Sequence, residues 1–320
     1  MTLRTAFTEL VSVIHPVALA PMGEVAGGAL AAAVSNGGGL GLIGGGSADR
    51  SWLSQELGIA AGSTDRPWGV GFLSWALELE TVQWTLEHEP SAIMLSFGDP
   101  SPFADDVRSS NSTLIIQVTD LDEARQALDV GADVIVAQGS EAGGHGGRRA
   151  TLPFVPAVVD LVAPTPVLAA GGIADGRGLA AALVLGAAGA LIGTRFEASS
   201  EALVPLSVTT AILEGSGGDT ERSRVLDIAR RASWPHRYTA RTLSNDFLDR
   251  WRHKEDELRE DDTALDAYEV AAANADPGVV PIWAGEGIDL ITEMSSAGEL
   301  VSALTAEAEV ALGRFHRPWS

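Results

Sequence analysis

Residues 134–147 read VIVAQGSEAGGHGG. Three β-branched residues and an alanine lead through Gln138 into a loop where His145 stands between two pairs of glycines. That order predicts a buried strand handing a titratable side chain to a place from which bulk is excluded. Imidazole, with an ordinary pKa of about 6.5, is the side chain best suited to proton transfer near neutrality. Glycines on both sides let a flat ligand approach the backbone. A surface loop that holds a histidine by chance is the alternative at this point.

Working outward, apolar β-rich runs recur at 15–22, 39–45, 67–74, 92–97, 113–118, 134–139, 166–172 and 190–196. They are almost continuously hydrophobic, as parallel strands buried on both faces are. Helical patterns separate most of them. Residues 27–34 are alanine-rich, 121–130 open with an acidic turn, and 174–185 follow an N-cap signal at Asp175. Eight alternations of strand and helix predict an α/β fold, a (β/α)8 TIM barrel. Between 201 and 281 charges and aromatic residues concentrate and no strand pattern is visible. A mostly helical insertion after the eighth strand is expected there, with 250–262 as a solvated charged helix. Residues 295–315 are amphipathic and suit the last barrel helix. The expected organisation is a barrel from 1–200 and 282–320, with 201–281 as a helical substrate or lid domain.

Composition bounds the chemistry. The chain has 320 residues and a net charge of −22, and Lys254 is its only lysine. Nucleic acid and anionic membranes are disfavoured as partners, because both need clustered basic residues. An anionic substrate must be drawn by a local field. The absence of cysteine removes disulfides, thiolate metal sites and cysteine nucleophiles together. It suits a reducing compartment, and a cytoplasmic location is expected. Glu9 and His15 interrupt any apolar leader core near the start.

Barrel active sites lie at the C-terminal ends of strands, and phosphate often binds after the seventh and eighth. Gly171-Gly172 precede a helix at the first of these exits, and Gly193-Thr194-Arg195 occupy the second. Backbone N–H groups at a helix start hold phosphate without lysine; tight turns are the alternative use of these glycines. The G-x-G-x-x-G match at 39–44 lies inside a predicted strand, so it is not a dinucleotide fingerprint. His15, His88, His253 and His316 carry no pattern, and His236 reads as a surface residue. No metal-ligand spacing and no G-x-S-x-G elbow is present, so neither a metal site nor a serine hydrolase is expected.

Taken together, HPVALAPM, GGGLGLIGGG, AQGSEAGGHGG, VLAAGGIADG and ALIGTRF resemble the nitronate monooxygenase family, FMN-dependent (β/α)8 barrels. The resemblance implies FMN as cofactor, contacted by Ala20, Pro21 and Met22 from the first strand. It implies that Gln138 hydrogen-bonds the flavin, that Gly143 and Gly144 pass near it, and that Gly171, Gly172, Gly193 and Thr194 hold its phosphate. Gln117 stands where some relatives have lysine beside the flavin, Gly71 where asparagine is frequent, and Glu286 where glutamine is common. His145 becomes the active-site histidine. The implied reaction is oxidation of an alkyl nitronate or nitroalkane with O2 to a carbonyl compound and nitrite, by a monomer or homodimer with only small-molecule partners. An NAD(P)H-dependent flavin enoyl-thioester reductase is the rival within this fold. A flavin-binding module without turnover, or a barrel for another phosphate compound, lies outside it.

Overall fold

The computed structural model describes residues 3–46, 49–274, 276 and 278–314; His316 and the expected end of the last helix at Phe315 lie outside these. Eight parallel strands form the barrel: β1 (Val17–Leu19), β2 (Gly41–Gly46), β3 (Trp68–Leu73), β4 (Ala92–Ser96), β5 (Thr113–Val118), β6 (Val134–Gln138), β8 (Val167–Ala170) and β9 (Gly189–Ile192). All eight apolar runs become strands. Their order is β1-β9-β8-β6-β5-β4-β3-β2. The circle closes where Ala18 bridges Leu40 and the Leu19 amide donates to the Leu40 carbonyl at 2.9 Å.

Helices α1 (Ala6–Leu10), α2 (Gly28–Asn36), α3 (Arg50–Ser63), α4 (Leu79–Leu86), α5 (Ser101–Arg108), α6 (Leu121–Asp129), α7 (Thr151–Val162) and α8 (Gly176–Val184) precede or link the strands. Asp175 caps α8 by accepting from the amides of Arg177 and Gly178 at 2.9 and 3.1 Å. The last barrel helix, which we number α15, spans Ala297–Gly313. Alternate strand residues divide the core in two. Val70, Ile116, Ile135 and Ala169 face the helices, whereas Ala18, Leu42, Met94, Ile115, Val136, Leu168 and Leu191 fill the barrel. Phe7 of α1, fully buried, plugs the lower end. Gly41 is required in β2 because α2 crosses it closely: a Cβ there would lie 1.9 Å from the Ala31 carbonyl oxygen.

Four expectations need correction. Residues 201–281 are mostly helical, with α10 (Leu206–Glu214), α11 (Val225–Ala229), α12 (Asp246–Trp251), α13 (Glu255–Glu260) and α14 (Asp262–Ala273), but they also contain β10 (Thr220–Ser223) and β11 (Thr239–Leu243). His145 is not on a free loop. It sits on β7 (Gly144–Gly146), which pairs antiparallel with β11, His145 opposite Ala240. These strands escaped notice because their sequences, TERS, TARTL and GHG, are polar or glycine-rich and only half-buried. The charged stretch 250–262 is not one helix, since it breaks at His253, whose φ is +62°. The run at 190–196 also ends early: β9 stops at Ile192 and α9 (Thr194–Glu197) begins.

Candidate active site

The strand register decides what reaches the barrel mouth. Continuing upward by two from the inward-facing Ala18, Leu42, Gly69, Met94, Ile115, Val136, Ala170 and Leu191 gives Ala20, Gly44, Gly71, Ser96, Gln117, Gln138, Gly172 and Gly193. Below that level the lining is aliphatic; at it, no side chain is larger than glutamine. A shallow floor of this kind accepts a flat ring system. The 20–22 segment lies across it. Pro21 stands where a Cβ on Gly71 would be, at 2.2 Å, so asparagine has no room there. The Met22 carbonyl oxygen similarly occupies the space beside Gly44. Gly193 faces Ala20 and Met22 at ordinary contact distance. Thus Ala20, Pro21, Met22, Gly193 and Thr194, distant in sequence, meet at the mouth.

Gln138 ends β6 and donates through Nε2 to the His145 carbonyl at 3.0 Å. Its Oε1 is buried without a partner, an acceptor left for an N–H donor. Gln117, also buried, makes no side-chain hydrogen bond to a described residue. Gly171 and Gly172 adopt left-handed backbone, φ +105° and +71°. The amides of Gly172, Thr194 and Arg195 donate to no described residue. The amides at the start of α8 do not share that freedom, contrary to expectation: Gly176 donates to Glu307 at 2.9 Å, and Arg177 and Gly178 donate to Asp175. A phosphate would therefore be met by the Gly171–Gly172 turn and by Gly193–Thr194, not by that helix. Behind the glycine turn a cleft of about 480 Å³ opens between Leu152, Ala181 and Leu290.

Segment 283–287 crosses above this floor. A Cβ on Gly143 would meet the Ala284 carbonyl carbon at 2.8 Å, and the Gly285 amide donates to Thr194 Oγ1 at 3.1 Å. Gly144, with φ +69°, has open space where a Cβ would lie. Glu286 is paired with Arg241 at 2.7 Å, which accounts for an acid at that position. Glu141 is used structurally, accepting from the backbone and hydroxyl of Thr151 at 2.9 Å.

The His145 side chain is 8% exposed. Its Nε2 lies 2.9 and 3.0 Å from the two carboxylate oxygens of Asp227, which is itself 1% exposed. Arg230 contacts the same carboxylate at 2.8 Å and lies over the Trp283 ring. Trp234 stacks on the imidazole, ring centroids 3.4 Å apart and planes within 6°. Burial holds the His145 pKa below the ordinary imidazole value; Asp227 opposes that shift, while Arg230 and Arg222 reinforce it. The ring is therefore neutral at pH 7. Arg222 donates to the carbonyls of Ser140 (3.2 Å), Ala142 (2.8 Å) and Thr239. Its burial brings its pKa down to about 10, which still leaves it charged. Arg241 reaches the Ser140 carbonyl at 3.0 Å. Trp75, Phe97 and Tyr238 complete an aromatic wall around Trp234.

Sequence reasoning missed Asp227, Arg222, Arg230 and Arg241. Asp227 and His145 are 82 residues apart, and no local pattern links them. Of the aromatic residues concentrated in 201–281, Trp234 and Tyr238 line the site, whereas Trp251 packs in that segment's own core with Leu248 and Leu258. His236 is exposed and contacts Arg224.

A family model for nitronate monooxygenase matches residues 4–80 and 75–307. The chain belongs to the nitronate monooxygenase family. Among curated relatives of this family member, nitronate monooxygenase npaC of Metarhizium robertsii is 34% identical over 327 residues, 92% of this chain and 90% of that one. A hydroxy-methyl-oxo-octahydroindene-carboxyl-CoA dehydrogenase of Rhodococcus jostii is 36% identical over 253 residues, covering 79% of this chain and 69% of the other. In three dimensions, FabK from Thermotoga maritima superposes with a TM-score of 0.87 at 29% identity, over 98% of this chain and 99% of its own. No helix among the described residues is long and apolar enough to cross a membrane.

Proposed function

We propose that this chain is an FMN-dependent oxidoreductase that oxidises alkyl nitronates, or the parent nitroalkanes, with O2 to a carbonyl compound and nitrite. Family membership and the likeness to a fungal nitronate monooxygenase support the class. The observation that carries the reading is a buried, neutral imidazole above a mouth floored by glycine, alanine, serine and glutamine. The residues present fit FMN: Gln138 offers an unpaired acceptor, and the amides of Gly172, Thr194 and Arg195 are unpaired donors. In this reading Ala20, Pro21, Met22, Gln117, Gly143 and Gly144 flank the ring system and Gly171, Gly172, Gly193 and Thr194 take the phosphate. The bound flavin supplies the electron acceptance and the reaction with O2.

The protein supplies the rest. Arg222 and Arg230 place positive charge beside His145 in a chain of net charge −22, the local field that an anionic nitronate needs. The aromatic wall excludes water from the alkyl part of the substrate. With a neutral nitroalkane, His145 removes the α-proton; with the nitronate, it orients the anion. We place 201–281 as the unit that covers and shapes the site.

The likeness to a CoA-thioester dehydrogenase favours a second reading, an NAD(P)H-dependent enoyl-thioester reductase. Anaerobic mixing of the FMN-loaded protein with ethylnitronate and, separately, with NADH distinguishes the two. Rapid bleaching of the flavin by ethylnitronate is expected; bleaching by NADH alone would transfer the assignment to the reductase.

A further inference from the structure

We propose that Asp227 is the positioning residue of the active-site imidazole: it fixes the His145 proton on Nε2, so that Nδ1 is the nitrogen that takes the substrate proton. The inference deepens the reading above and rests on it for the substrate. A carboxylate can only accept hydrogen bonds. Both Asp227 oxygens lie within 3.0 Å of Nε2, and one also receives Arg230 at 2.8 Å. A bare Nε2 lone pair would face those oxygens at that distance in a site closed to water. The proton must stand between them, and in a neutral ring the other nitrogen is then unprotonated. Nδ1 makes no hydrogen bond to a described residue.

Two further contacts keep the ring from turning. Trp234 covers one face, and pairing of β7 with β11, then β11 with β10, ties the short strand carrying His145, which follows barrel strand β6, to the segment leading into α11, which carries Asp227. The acid and the base thus come from the two parts of the molecule, and the sheet sets their separation. A buried aspartate plays the same part in hydrolytic triads, selecting the tautomer and steadying the imidazolium.

The step balances. The Nδ1 lone pair takes the α-proton of a nitroalkane, the C–H electron pair becomes the C=N bond of the nitronate, and the N=O π pair moves onto a nitro oxygen, which then carries the negative charge. The imidazolium so formed is offset by Asp227. The charged groups facing the ring are Asp227 from α11, Arg230 at the C-terminal cap of α11 and Arg222 from β10, and Tyr268 of α14 interacts with both Asp227 and Arg230.

Two readouts test this on the FMN-loaded protein. Long-range proton–nitrogen NMR of the imidazoles is expected to show His145 of the wild type as the Nε2–H tautomer above its pKa; an Nδ1–H tautomer would overturn the proposal without any variant. In Asp227→Asn the amide can accept or donate, so a tautomer mixture and a lower His145 pKa are expected. The ratio of nitroethane to ethylnitronate turnover should fall about 100-fold in that variant, because only the nitroalkane requires proton removal. An unchanged ratio would overturn the proposal. Should the wild type leave ethylnitronate untouched, the functional reading fails, and the tautomer still decides the role of Asp227.

Discussion

The barrel and the segment that crosses its mouth are held by different forces. Inside the barrel, Met94, Ile115, Val136, Leu168 and Leu191 pack as aliphatic layers that need no polar partner. Across the mouth, a three-stranded polar sheet and the buried guanidinium of Arg222, with three backbone carbonyls on it, do the joining. Aliphatic packing tolerates small shifts, whereas a buried charge with fixed hydrogen bonds does not. The site lies on the seam between the two. Its placement teaches that the aliphatic core bears on stability alone, whereas the residues of the seam bear on both stability and the site's geometry.

The most severe break in that seam is at His145. His145→Asn is expected to keep FMN and to cut nitroalkane turnover by a factor of about 10²–10⁴; a variant with full turnover would remove the base from the mechanism. Next in size is a contrast between the two regions. Arg222→Met leaves three carbonyls without their donor and should cost about 3 kcal/mol in chemical denaturation, with weakened FMN retention. Met94→Ala should cost about 2–5 kcal/mol and leave the nitroethane-to-ethylnitronate ratio alone. If Met94→Ala altered that ratio, the separation of stability from site geometry would be wrong.

A smaller effect is expected from Trp234→Leu. Opening the imidazole to water relieves the burial that depresses its pKa, so the acid limb of kcat/KM for a nitroalkane should move to higher pH. A limb that stays or moves lower would mean that the indole stabilises the charged ring instead. The mildest test lies at Glu197 in α9, where burial raises the carboxyl pKa to about 8. The folded chain keeps a proton there that the unfolded chain releases from about pH 4.3 upward, so its contribution to stability is lost as pH climbs toward 8. Glu197→Gln should therefore raise Tm more at pH 8.5 than at pH 5, and parallel Tm curves would contradict this.

The barrel was legible because each of its strands is a local apolar run and its helices carry local caps, Asp175 among them. His145, Gln138 and the glycines of the seventh and eighth exits were legible for the same reason, each standing at the end of such a run. The rest of the site was not. Asp227 matters only through a contact 82 residues away. Arg222 and Arg241 carry no local signal in the sequence, yet the β10–β11 pairing turns them toward the Ser140 carbonyl. Those two strands, rich in threonine, serine and arginine, carry no apolar alternation to mark them. The start of α8 misled in the opposite sense, since its amides are consumed by Glu307 of α15 and by Asp175.

The most direct measurement is nitrite release from ethylnitronate in air by the purified protein, followed with its visible spectrum. We predict a yellow protein that yields nitrite in step with nitronate consumed. A colourless protein that takes up no FMN, or a yellow one that leaves ethylnitronate intact, would contradict the account.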